Sequence, residues 1–262
     1  MEKEANNADA LINKGVALGN LGKYEEAIAE YDKALELKPD HADALINKGV
    51  ALGRLGQYQE AIQWIDKALE IKPNNAAALN NKGVALERLG RLGEAVVCFY
   101  ETLNIDLNST SAYESAIRCL DKILDNWPTS PTGWSEKAYL LSYYGKKNKE
   151  ALHLVEKALE IDPNHREALQ TKADILYNLK KYDEAILFYN KIIEELSPND
   201  AHSLYNRACC NIITGNIDKG LDDLKRALDN DDEQGFFTKS AREDEDLKSI
   251  RNDERFKALI AE

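Results

Sequence analysis

The chain has 262 residues, with 34 Lys and Arg against 46 Asp and Glu, a formal net charge of −12. That balance excludes nucleic acid or an anionic membrane as the main ligand, since both need a basic footprint. At 44% hydrophobic and 31% charged residues the composition predicts a soluble, folded chain. No run approaches the roughly 20 apolar residues of a membrane span, and the start, MEKEANNADA, lacks the apolar stretch of a secretory signal.

Residues 8–41 read ADALINKGVALGNLGKYEEAIAEYDKALELKPDH, and residues 42–75 read ADALINKGVALGRLGQYQEAIQWIDKALEIKPNN. A third copy, AAALNNKGVALERLGRLGEAVVCFYETLNID, starts at Ala76, so the offset is 34 residues each time. Within each copy the apolar residues fall at helical spacing. In Glu25–Leu37 they are Ala27, Ile28, Tyr31, Ala34 and Leu35, an i, i+3, i+4, i+7 stripe. No stretch alternates with period two over strand length. The chain therefore reads as all-α, and self-similarity at this period predicts a solenoid rather than one globule.

The copies share a set of structural positions, counted from Ala8, Ala42 or Ala76. Position 4 holds Leu11, Leu45 and Leu79; position 8 holds Gly15, Gly49 and Gly83; position 15 holds Gly22, Gly56 and Gly90. Position 20 holds Ala27, Ala61 and Ala95, and position 24 holds Tyr31, Ile65 and Phe99. Pro39 and Pro73 stand at position 32, where the third copy has Leu107. This pattern resembles the tetratricopeptide repeat family, in a stand-alone array of microbial, archaeal-like type. The resemblance implies an α-solenoid: a right-handed superhelix of antiparallel helix pairs with a concave binding surface. Small residues at 8 and 20 let helices approach, and bulky residues at 4 and 24 fill the gap.

Residues 109–130 break the array. SAIRCLDKILDNWPTS matches a second helix through Ala116, Leu120, Ile123 and Pro128, with no matching first helix. The expectation is a degenerate half repeat that interrupts the groove near Asp106–Pro131. Three further repeats follow over residues 131–231, carrying Trp134, Ala138, Gly145, Ala151, Ala158 and Pro163, then Leu169, Ala173, Tyr182, Ala185, Tyr189 and a late Pro198, then Leu204, Ala208, Gly215, Gly220, Leu224 and Ala227. The first of them carries one extra residue before Glu150. The expected organisation is repeats 1–3 over 1–108, the half repeat, repeats 4–6 over 131–231, and C-terminal capping helices over 232–262. In the cap, Ala241, Leu247, Ile250, Phe256, Leu259 and Ile260 carry the apolar signal.

Little in the sequence points to catalysis. There is no G-x-S-x-G, P-loop, G-x-G-x-x-G or H-E-x-x-H. His41 and His165 fall in turns between repeats and read as solvated. His202 lies two helical turns before Cys209, but two ligands are fewer than zinc takes. The four cysteines, Cys98, Cys119, Cys209 and Cys210, are irregularly spaced and read as packing residues of a reducing cytoplasm, Cys98 and Cys119 at equivalent second-helix positions. No metal or cofactor is expected, and the chain reads as a non-enzyme.

The resemblance places binding on the first helices. It implies that Ile12, Asn13, Val16, Ile46, Asn47, Val50, Arg54, Asn80, Asn81, Val84 and Arg88 face the concave surface, with Asp9, Asn20 and Asp43 beside them. In the second half it implies Tyr139, Tyr143, Gln170, Asp174, Tyr177, His202, Tyr205, Asn206 and Ile212. Asn13, Asn47, Asn81 and Asn206 share position 6. An amide carries donors and an acceptor, so a row of them resembles the asparagine ladder with which some long superhelices hold a peptide backbone. Cations recur at position 7 as Lys14, Lys48, Lys82, Lys172 and Arg207; they read as snorkelling structural residues or as a basic stripe. The clamp that family members use for chaperone C-terminal tails is absent, since Ile12, Val16 and Ala77 stand where its polar groups belong and only Asn47 matches. The expected partner is thus a protein or peptide other than a chaperone tail, held in the groove by a non-catalytic scaffold. The alternative is a regulatory or oligomerisation subunit that docks an enzyme through the solenoid ends.

Overall fold

The computed structural model of the chain describes residues 2–231 and 235–260, without the side chains of residues 2–6. Every regular element among them is helical. The chain divides into two compact units, residues 1–128 and 129–262.

The first unit holds α1 (Glu2–Asn20), α2 (Tyr24–Leu37), α3 (Ala42–Arg54), α4 (Tyr58–Ile71), α5 (Ala76–Arg88), α6 (Leu92–Ile105) and α7 (Thr110–Asn126). α1, α3 and α5 each pack on the helix that follows, and α2, α4 and α6 each pack on the next odd helix. No pair has a core of its own. Ile12, Ala27, Tyr31 and Ala34 close over Ala44 and Ala51 of the next pair, and Ile46 and Ile65 close over Ala78. This is the nearest-neighbour stacking of an α-solenoid.

The recurring glycines have two separate reasons. Gly22, Gly56 and Gly90 end the first helices with φ of 77°, 81° and 76°, a left-handed turn that a Cβ disfavours. Gly83 lies inside its helix with the Phe99 ring against it. A Cβ there would fall 2.6 Å from that ring, and Phe99 is fully buried.

The residue before several of the first helices is a cap, which corrects the reading of His41 and His165 as solvated. His41 Nδ1 accepts the Ala44 N–H at 3.4 Å and His165 Nδ1 that of Ala168 at 3.3 Å, in the role Asn75 and Asp200 play elsewhere. Their other ring nitrogens meet Asp9 Oδ1 at 3.2 Å and Thr132 Oγ1 at 3.0 Å.

The half repeat is a single helix, and only its assignment as a second helix is corrected. α7 is one continuous helix, and it takes the place of a first helix. It packs on α6 and also touches α5, to which Arg118 donates through two N–H groups at Glu87. Its start continues the 34-residue register, with Ala112 buried where Ala44 and Ala78 are buried. Cys119 accordingly sits on a first-type helix, not at the position of Cys98.

The second unit holds α8 (Pro131–Tyr143), α9 (Asn148–Ile161), α10 (Arg166–Asn178), α11 (Tyr182–Lys191), α12 (Ala201–Ile213), α13 (Ile217–Asp229), α14 (Phe236–Glu243) and α15 (Glu254–Leu259). Two irregularities in its sequence have structural causes. The extra residue before Glu150 lengthens the α8–α9 turn, so Lys146 rather than Gly145 takes positive φ (53°). The late Pro198 follows a π-helical turn over Ile192–Leu196, which absorbs one inserted residue. Residues 232–234, at the start of the expected cap, lie outside the described residues. From Phe236 onward the tail folds back on the unit: the 3-10 turn Glu245–Ile250 packs on α12, and Ala241, Leu247, Ile250 and Phe256 are buried in its core.

Candidate interaction faces

The first helices of the N-terminal unit border two open cavities. One, of about 400 Å³, is lined by Val16, Gly19, Asn20, Tyr24, Tyr31, Asn47, Val50, Ala51 and Arg54. The other, of about 490 Å³, is lined by Val50, Arg54, Tyr58, Asn80, Asn81, Val84, Arg88 and Ser111 among others. Valine at position 9 gives each an apolar floor, and the amides and Arg54 and Arg88 stand around it. Asn13 is exposed outside both linings.

Ile12 and Ile46 do not belong to this face. They are 7% and 8% exposed, within the cores that join successive pairs. Both point along the stack towards the next first helix, so these two apolar side chains are packing residues.

A charge cluster at the end of this face joins residues too far apart in the chain for spacing to reveal it. Glu87 accepts from Arg118 at 2.9 and 2.8 Å and from Lys122 at 2.8 Å, and its side chain is 8% exposed. The Arg118 guanidinium, with Lys122, outweighs burial and pulls its carboxyl down to about 2. A folded-state value below the ordinary one means that Glu87 stabilises above pH 4.5 and that this contribution fades as pH falls towards 2. Glu87→Gln is therefore expected to flatten the acid limb of stability between pH 5 and 2, measured by urea unfolding. An acid limb as steep as the wild type's would remove Glu87 from that role.

The position-7 cations form no free stripe. Lys14 pairs with Glu30 at 3.0 Å, Lys48 with Asp32 at 2.5 Å, Lys82 with Asp66 at 2.7 Å and Lys172 with Glu156 at 3.3 Å. Lys48 also lies 3.5 Å from the centre of the Trp64 ring. Arg207 is held by Asp223. Each is tied to a second helix of its own or the preceding pair.

In the second unit Tyr139, Tyr143, Tyr177, Asp174, His202 and Asn206 line a cavity of about 490 Å³ with Thr171, Asn178 and Lys146. Tyr139 and Tyr143 stack at 5.5 Å. Asp174 is the hub. Tyr189 Oη donates to it at 2.6 Å, Asn206 Nδ2 at 3.0 Å and Gln170 Nε2 at 3.2 Å, and His202 Nε2 lies 3.5 Å away. Burial works against a charged His202, but Asp174 outweighs it and raises the imidazole pKa. Asn206 is thus committed to its own protein.

Two expected partner residues are covered by the tail. Tyr205 is 5% exposed, donates to Asp244 at 2.8 Å and packs on Phe237 at 5.2 Å. Tyr177, half-buried, donates to Asp246. Burial pushes both phenols far up. The tail's acids and aromatics were legible, but their seat on α10 and α12 was not.

No group of three or more His, Cys, Asp or Glu among the described residues could hold a metal ion. The four cysteines are free and buried, and burial raises the thiols of Cys98 and Cys119 to about 11. Among the described residues no helix is long and apolar enough to cross a membrane.

Comparison with known proteins matches this architecture. Sequence profiles of the tetratricopeptide repeat family fit residues 12–76, 64–97 and 145–208, together more than half of the chain. The TPR repeat-containing protein MJ1428 of Methanocaldococcus jannaschii is 30% identical over 149 residues, 44% of this chain and 26% of that protein. The chain thus spans about a quarter of that relative's length. Among solved structures, the first TPR of Spaghetti (RPAP3) bound to HSP90 peptide SRMEEVD is 24% identical and covers 45% of this chain and 94% of that one, with a TM-score of 0.45. The Arabidopsis OM64 TPR domain is 26% identical over 44% of this chain and 96% of that one, with a TM-score of 0.43. On its repeated sequence, its stacked helix pairs and these profile matches, the chain belongs to the tetratricopeptide repeat family.

Proposed function

We propose that the protein is a non-catalytic scaffold that holds an extended protein segment across the first helices of its N-terminal unit. The observation that supports this reading is a difference in how polar groups are satisfied. The side chains of Asn20, Asn47 and Asn81 have no hydrogen-bond partner among the described residues, and the side-chain oxygen of Asn80 is buried without one. The counterpart of Asn47 and Asn81 in the second unit, Asn206, is bonded to Asp174. A buried unsatisfied acceptor costs about 1–3 kcal/mol. A peptide backbone, with alternating N–H and C=O groups, would satisfy such amides without its side chains being read. The valines beneath would cover whatever apolar atoms it brings.

The test is a selection of displayed peptides on the full chain, followed by the Asn47→Ala, Asn81→Ala double variant. Loss of two hydrogen bonds at about 1 kcal/mol each predicts roughly thirtyfold weaker binding of the selected peptides. The melting temperature should hold within about 2 °C, because neither amide bonds its own protein. Unchanged affinity would exclude these residues from the site.

A further inference from the structure

We propose that the segment held by the N-terminal unit is acidic, its carboxylates met by Arg54 and Arg88; this rests on the reading in the preceding subsection. The two arginines occupy the same position of successive repeats. Arg54 borders both cavities and Arg88 the second. Neither side chain has an ion pair or hydrogen bond among the described residues, although Lys48 and Lys82 on the same helices are both paired.

The acids of these helices do not neutralise them. Glu87 is shared by Arg118 and Lys122, Asp43 meets Lys72 at 3.6 Å, and Asp9 meets His41. Glu114 is exposed one turn before Arg118. A chain of net charge −12 therefore keeps two uncommitted guanidinium groups beside unsatisfied amides. The second unit has Tyr143, Asn178 and Ile213 at the corresponding positions, and the cation at its cavity, Lys146, lies over the Tyr143 ring instead.

A guanidinium takes a carboxylate through two parallel N–H donors. Two of them spaced along amide-lined cavities fit a segment with a few Asp or Glu side chains. A nucleic acid would need a longer basic track and would meet repulsion from the rest of the chain.

The experiment uses the full chain and fluorescence anisotropy with three labelled probes: (Ser-Glu)5, (Ser-Gln)5 and a ten-residue deoxythymidine strand. The expected result is about tenfold or greater preference for (Ser-Glu)5 over (Ser-Gln)5 in 50 mM salt, shrinking as salt rises. Arg54→Gln with Arg88→Gln should abolish that preference, and Arg54→Lys with Arg88→Lys should keep part of it. Both arginines are exposed, so the variants should fold. Equal affinity for the two peptides, or a preference that survives the Gln variant, would overturn the proposal. If both peptides still weaken in the Asn47→Ala, Asn81→Ala variant, the groove reading stands without the charge preference. Binding of neither peptide would remove both readings, and tighter binding of the DNA strand would replace the acidic segment by a polyanion.

Discussion

Asp223→Ala should cost the C-terminal unit about 3–5 kcal/mol. Asp223 on α13 is 7% exposed and faces Arg207 on α12, which is 11% exposed. Arg207 donates through Nε at 2.8 Å and Nη2 at 2.6 Å, and Asn211 adds a bond at 3.3 Å. Removing the carboxylate leaves a guanidinium that has lost most of its solvation, with the Asn190 side-chain oxygen and a distant Glu194 as its remaining partners. The penalty comes from that uncompensated charge, since an intact buried pair contributes little net stability of its own. Arg207→Met with Asp223→Leu should therefore recover most of the loss. The equivalent Lys14–Glu30 pair behaves differently. Lys14 is 62% exposed, so Lys14→Ala should leave stability almost unchanged. Urea unfolding reads all three variants, and a loss below 1 kcal/mol for Asp223→Ala would show that Arg207 escapes to water.

Phe256→Ala should unseat the tail. Phe256 is 1% exposed and shares a core with Leu247, Ile250, Tyr205, Leu221 and Leu224. Truncating a buried aromatic costs about 3–5 kcal/mol, and here the cost falls on a segment held by few elements. The tail's own side chains cover the apolar faces that α12 and α13 turn towards it. Unseating should speed tryptic cleavage after Lys239, Arg242, Lys248 and Arg251, and should release the hydroxyls of Tyr177 and Tyr205 from Asp246 and Asp244. Cleavage at the wild-type rate despite lower stability would mean that Phe256 supports α13 without seating the tail.

Much of this protein was legible before any coordinates. The 34-residue period, the glycine that ends each first helix and the pairing of Gly83 with Phe99 depend on spacing along one or two helices. Periodicity reports such local geometry directly. The aromatic and amide positions were found by the same route, but their availability was not. Ile12 and Ile46 looked like groove residues because a helical wheel does not say where the next pair will lie. Tyr205 looked free because its cover comes from a segment nearly forty residues later in the chain. Asn47 and Asn206 share a repeat position, yet the side chain of one makes no bond to the described residues and that of the other is bonded to Asp174.

The amino-acid order by itself determined that this chain is a stack of helix pairs, because each pair carries an apolar stripe that it cannot bury alone. Tertiary packing decided which polar groups remain uncommitted. Whether a given amide, arginine or phenol is spent depends on what the rest of the chain brings within about 3 Å of it, and sequence spacing cannot fix that proximity.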